Sequence, residues 1–149
     1  KALADMVFYI RYKAELMSRL LIDEPEIHLH PDNQIILARI FARMVNRGLQ
    51  ILISTHSEYI IREINILIML SNSGEDFKKR ASELGYKSEE FLKPDLIQPY
   101  LFVVQENGKV KTESIDVSKE GFAVKSIDRT IACLNDISEE VYYAMLQNQ

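Results

Sequence analysis

Long apolar runs are missing from these 149 residues. The longest candidate, "INILIML", is interrupted by Asn65 and falls far short of the ~18 residues that a membrane-spanning helix needs. No secretory signal pattern appears either. Cysteine is almost absent: Cys133 stands alone, which excludes an internal disulfide and fits a reducing cytoplasm. Its expected role is that of a small buried apolar group on a helix. Basic excess is missing too, since the formal net charge is −4; nothing marks a cationic nucleic-acid surface. Glycine is scarce and scattered, and no G-x-x-x-x-G-K-[ST] occurs. The only Gly-Lys pair, Gly108-Lys109, is followed by Val110 and has Val103 where the first glycine would stand. A complete phosphate-cradling loop is therefore excluded within these residues.

What is present is an ordinary globular balance, 47% hydrophobic and 27% charged, with enough length for one real core. The chain opens in mid-pattern on "KALADMVFYI" and is expected to be a piece of a longer protein. Leu3, Val7, Ile10, Ala14 and Met17 recur at helical spacing, which predicts an amphipathic helix over roughly residues 1–16. "LMSRLLID" reads as a strand ending near Asp23. Its nearly continuous apolar character predicts cover on both faces, as in a parallel α/β sheet. Pro25 and Pro31 enforce a loop. Asp32 is the expected cap of a helix through "NQIILARIFARMVNR", with Gly48 as its stop. A second strand, "LQILIS", precedes "THS", and Ser57 is placed to cap the helix "EYIIREINILIML".

Strand, loop, helix, strand and helix with short connections predict a βαβ unit whose functional loops lie at the strand C-termini. Asp23, Glu24, Thr55 and His56 then share one edge of the sheet. After residue 70 the character changes: "SNSGEDFKKRASELGYKSEEFLKP" is polar and predicts short helices or a mobile connector. Its "FKKRASELGYK" reads as a solvated helical face. Asn107-Gly108 between "YLFVVQ" and "KVKTESI" is a hairpin signal over about residues 100–115, with the hairpin expected to extend the core sheet edge. A last helix is predicted from Asp128 to Leu146, with Ile131, Leu134, Ile137 or Ser138, Val141 and Met145 on one face and the helix packing nearby.

The chemistry-bearing stretch is "LLIDEPEIHLHP". A carboxylate at a strand's exit suits a hydrated Mg²⁺, which prefers oxygen ligands and keeps several waters. A neighbouring carboxylate pointing elsewhere suits polarising an attacking water. Together with "ILISTHS" further on, this stretch resembles the second half of an ABC-type ATPase domain. "LLIDEP" is similar to the Walker B strand with its adjacent glutamate, and "STHS" to the switch-histidine loop. The "EPEIHLHP" form is similar to the soluble branch that includes RecF-like, SMC-like and OLD-family (overcoming lysogenization defect) proteins, and to bacterial "AAA family ATPase" proteins of antiphage-defence cassettes.

The resemblance implies a fold and a division of labour. The fold is a partial P-loop NTPase core of parallel strands flanked by helices over residues 1–70, with an α+β extension over 71–149. Asp23 positions Mg²⁺ through water, Glu24 orients or activates the water that attacks the γ-phosphate, and His56 contacts that phosphate. Glu26, His28, Leu29, His30 and Pro31 form the D-loop equivalent, facing a partner subunit; His30 stands where transporters carry Asp. The cofactors implied are ATP and Mg²⁺. The partners implied are a second subunit across the ATP site and DNA or a separate effector, in defence or repair, with no membrane. Without its own phosphate-cradling loop, this chain alone is expected to be inactive and to bind neither ATP nor Mg²⁺.

Two other readings stand beside it. A metal-dependent hydrolase or nuclease would use Asp23, Glu24, His28, His30 and His56, since all three histidines fall in this region. The third reading is a non-catalytic interaction module. The acids of "SIDVS" and "SIDRT" have no supporting set, so any nuclease in such a system is expected to be a separate protein.

Overall fold

The structure, a computed structural model, describes residues 19–147. The helix expected over residues 1–16 lies outside them. Among the described residues the chain forms two compact units. Those up to Gln98, with Val117–Gly121, make one; Pro99–Asp116 and the residues from Phe122 onwards make the other.

In the first unit, β1 (Arg19–Asp23) and β2 (Gln50–Ser54) pair in parallel, with Leu21 opposite Leu52 and Asp23 opposite Ser54. Helix α1 (Pro31–Asn46) connects them, and α2 (Glu58–Asn72) follows β2 and packs against α1. Leu37, Ala38, Phe41, Met44 and Ile60 form the core. Leu20 and Ile22 of β1 and Ile51 and Ile53 of β2 pack on it. Alternation along each strand sends these apolar residues to the helices and their neighbours to the other side. Among the described residues, then, cover on both faces is not seen. Among the described residues the helices cover one face, and Leu21 and Leu52 are 65% and 57% exposed on the other.

The helix ends follow from local chemistry. Pro31 occupies the first helical position, where its fixed φ fits and its missing N–H costs nothing. The cap thus falls two residues earlier than expected: His30 Nδ1, not the Asp32 carboxylate, accepts from the Asp32 backbone N at 3.4 Å. Asp32 sits in the first turn, where a negative charge suits the helix dipole. At the other end Gly48 has φ 91°. Gly48 N donates to Val45 O and Leu49 N to Met44 O, the paired bonds of a Schellman turn.

The polar stretch after α2 is well tied down. It holds α3 (Glu75–Glu83) and 3₁₀ turns at Ser88–Glu90 and Pro94–Leu96. A polar stripe of α1 anchors it. The Arg39 guanidinium meets the buried Glu63 of α2 at 2.6 Å and lies 4.1 Å over the Tyr86 ring. Arg43 pairs with Glu89 and the buried Glu90, and Asn46 donates to the carbonyls of Glu89 and Phe91. These bonds carry the first unit past residue 70, to Gln98. Gly121, at φ 98°, closes the return segment against α2: a Cβ there would run into the Asn65 side chain.

In the second unit β3 (Tyr100–Val104) and β4 (Val110–Ser114) form the expected hairpin. Gly108 N donates to Gln105 O, and Gly108 sits at φ 75°, a turn closed by a left-handed glycine. The hairpin does not extend the core sheet; it is a separate two-stranded sheet. Its turn brings each strand a partner locally, and alternation along a strand does not specify a further edge. Helix α4 (Lys125–Gln147) starts earlier than expected. Its Leu134, Ile137, Val141 and Met145 are exposed, and so is Cys133, which is not the buried group its type suggested. No helix among the described residues is long and apolar enough to cross a membrane.

Two predictions follow from the Arg39 cluster. Arg39→Ala leaves the Glu63 carboxylate buried and unpaired, and chemical denaturation should show a loss of about 3 kcal/mol. The double replacement Arg39→Met/Glu63→Leu should recover most of it. Burial, then the charge of Glu63, raises the Tyr86 phenol above its usual value. A group raised in the folded state stabilises fully below its unfolded value, ~10, and loses that contribution as pH rises through the folded one. The denaturation midpoint should therefore fall as pH climbs past about 10, and Tyr86→Phe should flatten that fall.

Candidate functional site

The parallel register sets Asp23 beside Ser54 at the last rung of the sheet. Ser54 ties the rung together: its Oγ donates to Asp23 Oδ1 and accepts from the Glu24 backbone N at 3.1 Å. Glu24 N also donates to Ser54 O at 3.1 Å. Glu24 leaves the strand at φ 42°, a left-handed conformation uncommon away from glycine and costing of order 1–3 kcal/mol. That turn directs the two adjacent carboxylates along different paths.

His56 arrives from the loop after β2. Its Nε2 lies 3.5 Å from Glu24 Oε1, with the two side chains 90% and 40% exposed. So open a pair contributes little to stability. Its consequence is a carboxylate and an imidazole held side by side facing outward. Asp23 is exposed beside them. The expected convergence of Asp23, Glu24, Thr55 and His56 at one sheet edge is present.

The rest of the loop after β1 divides between inward and outward residues. Glu26 turns inward, its Oε1 accepting from Thr55 Oγ1 at 2.7 Å and from the His56 backbone N at 2.8 Å. Leu29 packs against the core cluster. Ile27 and His28 are exposed, His28 at φ 65°. His30 is exposed as well and caps α1, its Nδ1 3.4 Å from the Asp32 carboxylate. Pro31 starts the helix. Among the described residues, no three histidine, cysteine, aspartate or glutamate side chains are grouped to hold a metal ion. The zinc or manganese set of Asp23, Glu24, His28, His30 and His56 is thus not assembled. One physical reason is that the His30 ring is committed to the helix start.

Ser57 and Gln34 complete the loop. Ser57 Oγ accepts from Ile60 N at 3.1 Å, the expected cap of α2, and donates to Gln34 Oε1. Gln34 Nε2 donates to Leu29 O at 2.9 Å. Sequence reasoning missed Ser54 and Gln34. Ser54 was discoverable from the register, because it ends its apolar strand just as Asp23 ends the other. Gln34 carried no signal beyond its place in the first turns of α1.

Residues 6–61 match the family model described as "AAA ATPase domain". The match takes in β1, α1, β2 and the start of α2, so this stretch is AAA-type ATPase-like. Its mixed α/β build, parallel strands with helices against them, is compatible with a partial P-loop NTPase-like fold. None of the curated proteins and none of the solved structures compared matches the chain.

Because Ser57 is buried and serves both α2 and Gln34, Ser57→Ala should cost about 1–2 kcal/mol in denaturation. An unchanged midpoint would show that the cap contributes nothing.

Proposed function

We propose that this chain supplies the water-activating and γ-phosphate-sensing side of an ATP-hydrolysing site of the ABC-type, RecF/SMC/OLD-like branch. The observation that carries the reading is the meeting of Asp23, Glu24 and His56 on the rims of two parallel strands. An AAA-type ATPase-like match over the same elements supports it.

The donor set fits the magnesium side of such a site. Asp23 offers a hard, exposed carboxylate oxygen, which suits holding a hydrated cation through water. The sequence carries no G-x-x-x-x-G-K-[ST] to cradle the β- and γ-phosphates, so in this reading that half comes from polypeptide outside these 149 residues. Bound Mg²⁺ supplies neutralisation of phosphate charge. The chain's own residues do the positioning. Glu24, turned away from Asp23 by its backbone, orients the attacking water and takes up its proton. His56 donates from its ring to the γ-phosphate and loses that contact when the phosphate leaves. Ser54 steadies both carboxylate-bearing residues.

In this reading two subunits close around ATP, with exposed His28 and His30 meeting the partner, and nucleotide state drives action on DNA or a separate effector in defence or repair. The protein works in the cytoplasm.

ATP turnover by an assembly carrying this chain and a phosphate-cradling loop tests the roles. Glu24→Gln should lower turnover about a hundredfold or more while nucleotide binding is retained. Undiminished turnover would overturn the assignment of Glu24.

A further inference from the structure

Glu26 has no part in the chemistry proposed above, yet its half-buried side chain makes two hydrogen bonds from the loop after β1 to the loop after β2. Its Oε1 receives Thr55 Oγ1 at 2.7 Å and the His56 backbone N at 2.8 Å. Its Oε2 is buried and, among the described residues, has no hydrogen-bond partner, so the carboxylate is committed to the interior rather than to solvent. Thr55 Oγ1 passes the constraint on by accepting from Ser57 N at 3.0 Å.

The segment bearing Glu26 is itself closed. Ile27 N donates to Glu24 O and Leu29 N to Glu26 O, while Glu24 and His28 both hold positive φ. Such conformations persist in non-glycine residues only where surrounding contacts over-determine them. On the far side, the His56 ring is almost fully exposed and its 3.5 Å pairing with Glu24 is open to solvent, so that pairing alone holds its direction weakly. The firmer constraint is on its backbone, whose N–H donates to Glu26 Oε1.

We propose that Glu26 is a positioning residue for His56: it clamps the loop after β2 to the loop after β1 and thereby keeps the imidazole beside Glu24. The assignment rests on the reading of His56 as the phosphate-contacting residue. The working property is an acceptor oxygen at the reach of a Glu side chain, not a negative charge. Gln keeps that oxygen and that reach. Asp keeps the charge but is one methylene too short, and Ala has neither. A residue acting by charge would order these substitutions the other way, with Asp above Gln.

Amide hydrogen exchange at His56, followed by NMR in this chain, reads the clamp without any nucleotide. Protection should persist in Glu26→Gln and fall about tenfold or more in Glu26→Ala and Glu26→Asp, the expected result of losing a single holding bond. The β1–β2 ladder amides should stay unchanged, which separates the clamp from general unfolding. Unchanged protection in Glu26→Ala, or protection kept by Asp and lost in Gln, overturns the proposal. If Glu26→Ala does not fold, the Gln and Asp variants decide.

The second readout is turnover in the ATP-hydrolysing assembly. There kcat should fall about tenfold or more in Glu26→Ala and Glu26→Asp with KM for ATP little moved, and Glu26→Gln should rescue it. Normal kcat in a variant that has lost His56 protection overturns the positioning role while leaving the ATPase reading intact. No turnover in the unsubstituted assembly overturns the ATPase reading, and the exchange result still decides the clamp.

Discussion

The constraint on which the rest depends is the parallel register of β1 and β2. Pairing Leu21 with Leu52 sets Asp23 against Ser54, so both strands end on the same rung. Side chains alternate along a strand, so the register decides which residues reach the helices and which reach the rim. It also sets the starting points of the two loops that carry Glu24 and His56. Ser54 then binds both Asp23 and the Glu24 backbone, and Glu26 binds the loop beyond Ser54. Each bond presupposes strands that end together.

Helix α1 makes that register useful. One side of it supplies Leu37, Ala38, Phe41 and Met44 to the core, pressing on the inner face of both strands. Another carries Arg39, Arg43 and Asn46, which draw residues 85–91 and Glu63 onto the same unit. Its first turns hold Gln34, which reaches Leu29 and Ser57. Core, connector and site loop thus meet on one helix, and the exposed pair of Glu24 and His56 stands on a braced base.

The core elements of the first unit were legible because their signals are local. The apolar strands, the helical spacing between them, Gly48 as a stop and Ser57 as a cap all declare themselves within a few residues. Asp23, Glu24 and His56 were legible as a set because short connections leave a βαβ unit little choice about where its loops fall. The cap of α1 was misplaced by two residues because Asp32 suits a helix start, whereas Pro31 takes the first helical position and leaves His30 as the cap. Glu26, Gln34 and the Arg39–Glu63–Tyr86 group were not legible in those roles. Their partners lie far along the chain, and polar residues on a helix or loop look the same whether they face water or each other. That the face bearing Leu21 and Leu52 is open among the described residues was not legible for a related reason: apolar content does not tell which side of a sheet is covered.

Disulfide trapping tests the register directly. With Cys133→Ser removing the only native thiol, the pair Leu21→Cys/Leu52→Cys lies on the open face, opposite one another. Neighbouring strands are about 4.8 Å apart, within the Cα range a disulfide spans. The pairs Leu21→Cys/Gln50→Cys and Leu21→Cys/Ser54→Cys are displaced by two residues, roughly 8 Å apart and beyond that range. The account predicts rapid cross-linking of the first pair and none of the other two. Preferential cross-linking of either displaced pair would mean a slipped register, with Ser54 no longer opposite Asp23, and would contradict the site as described.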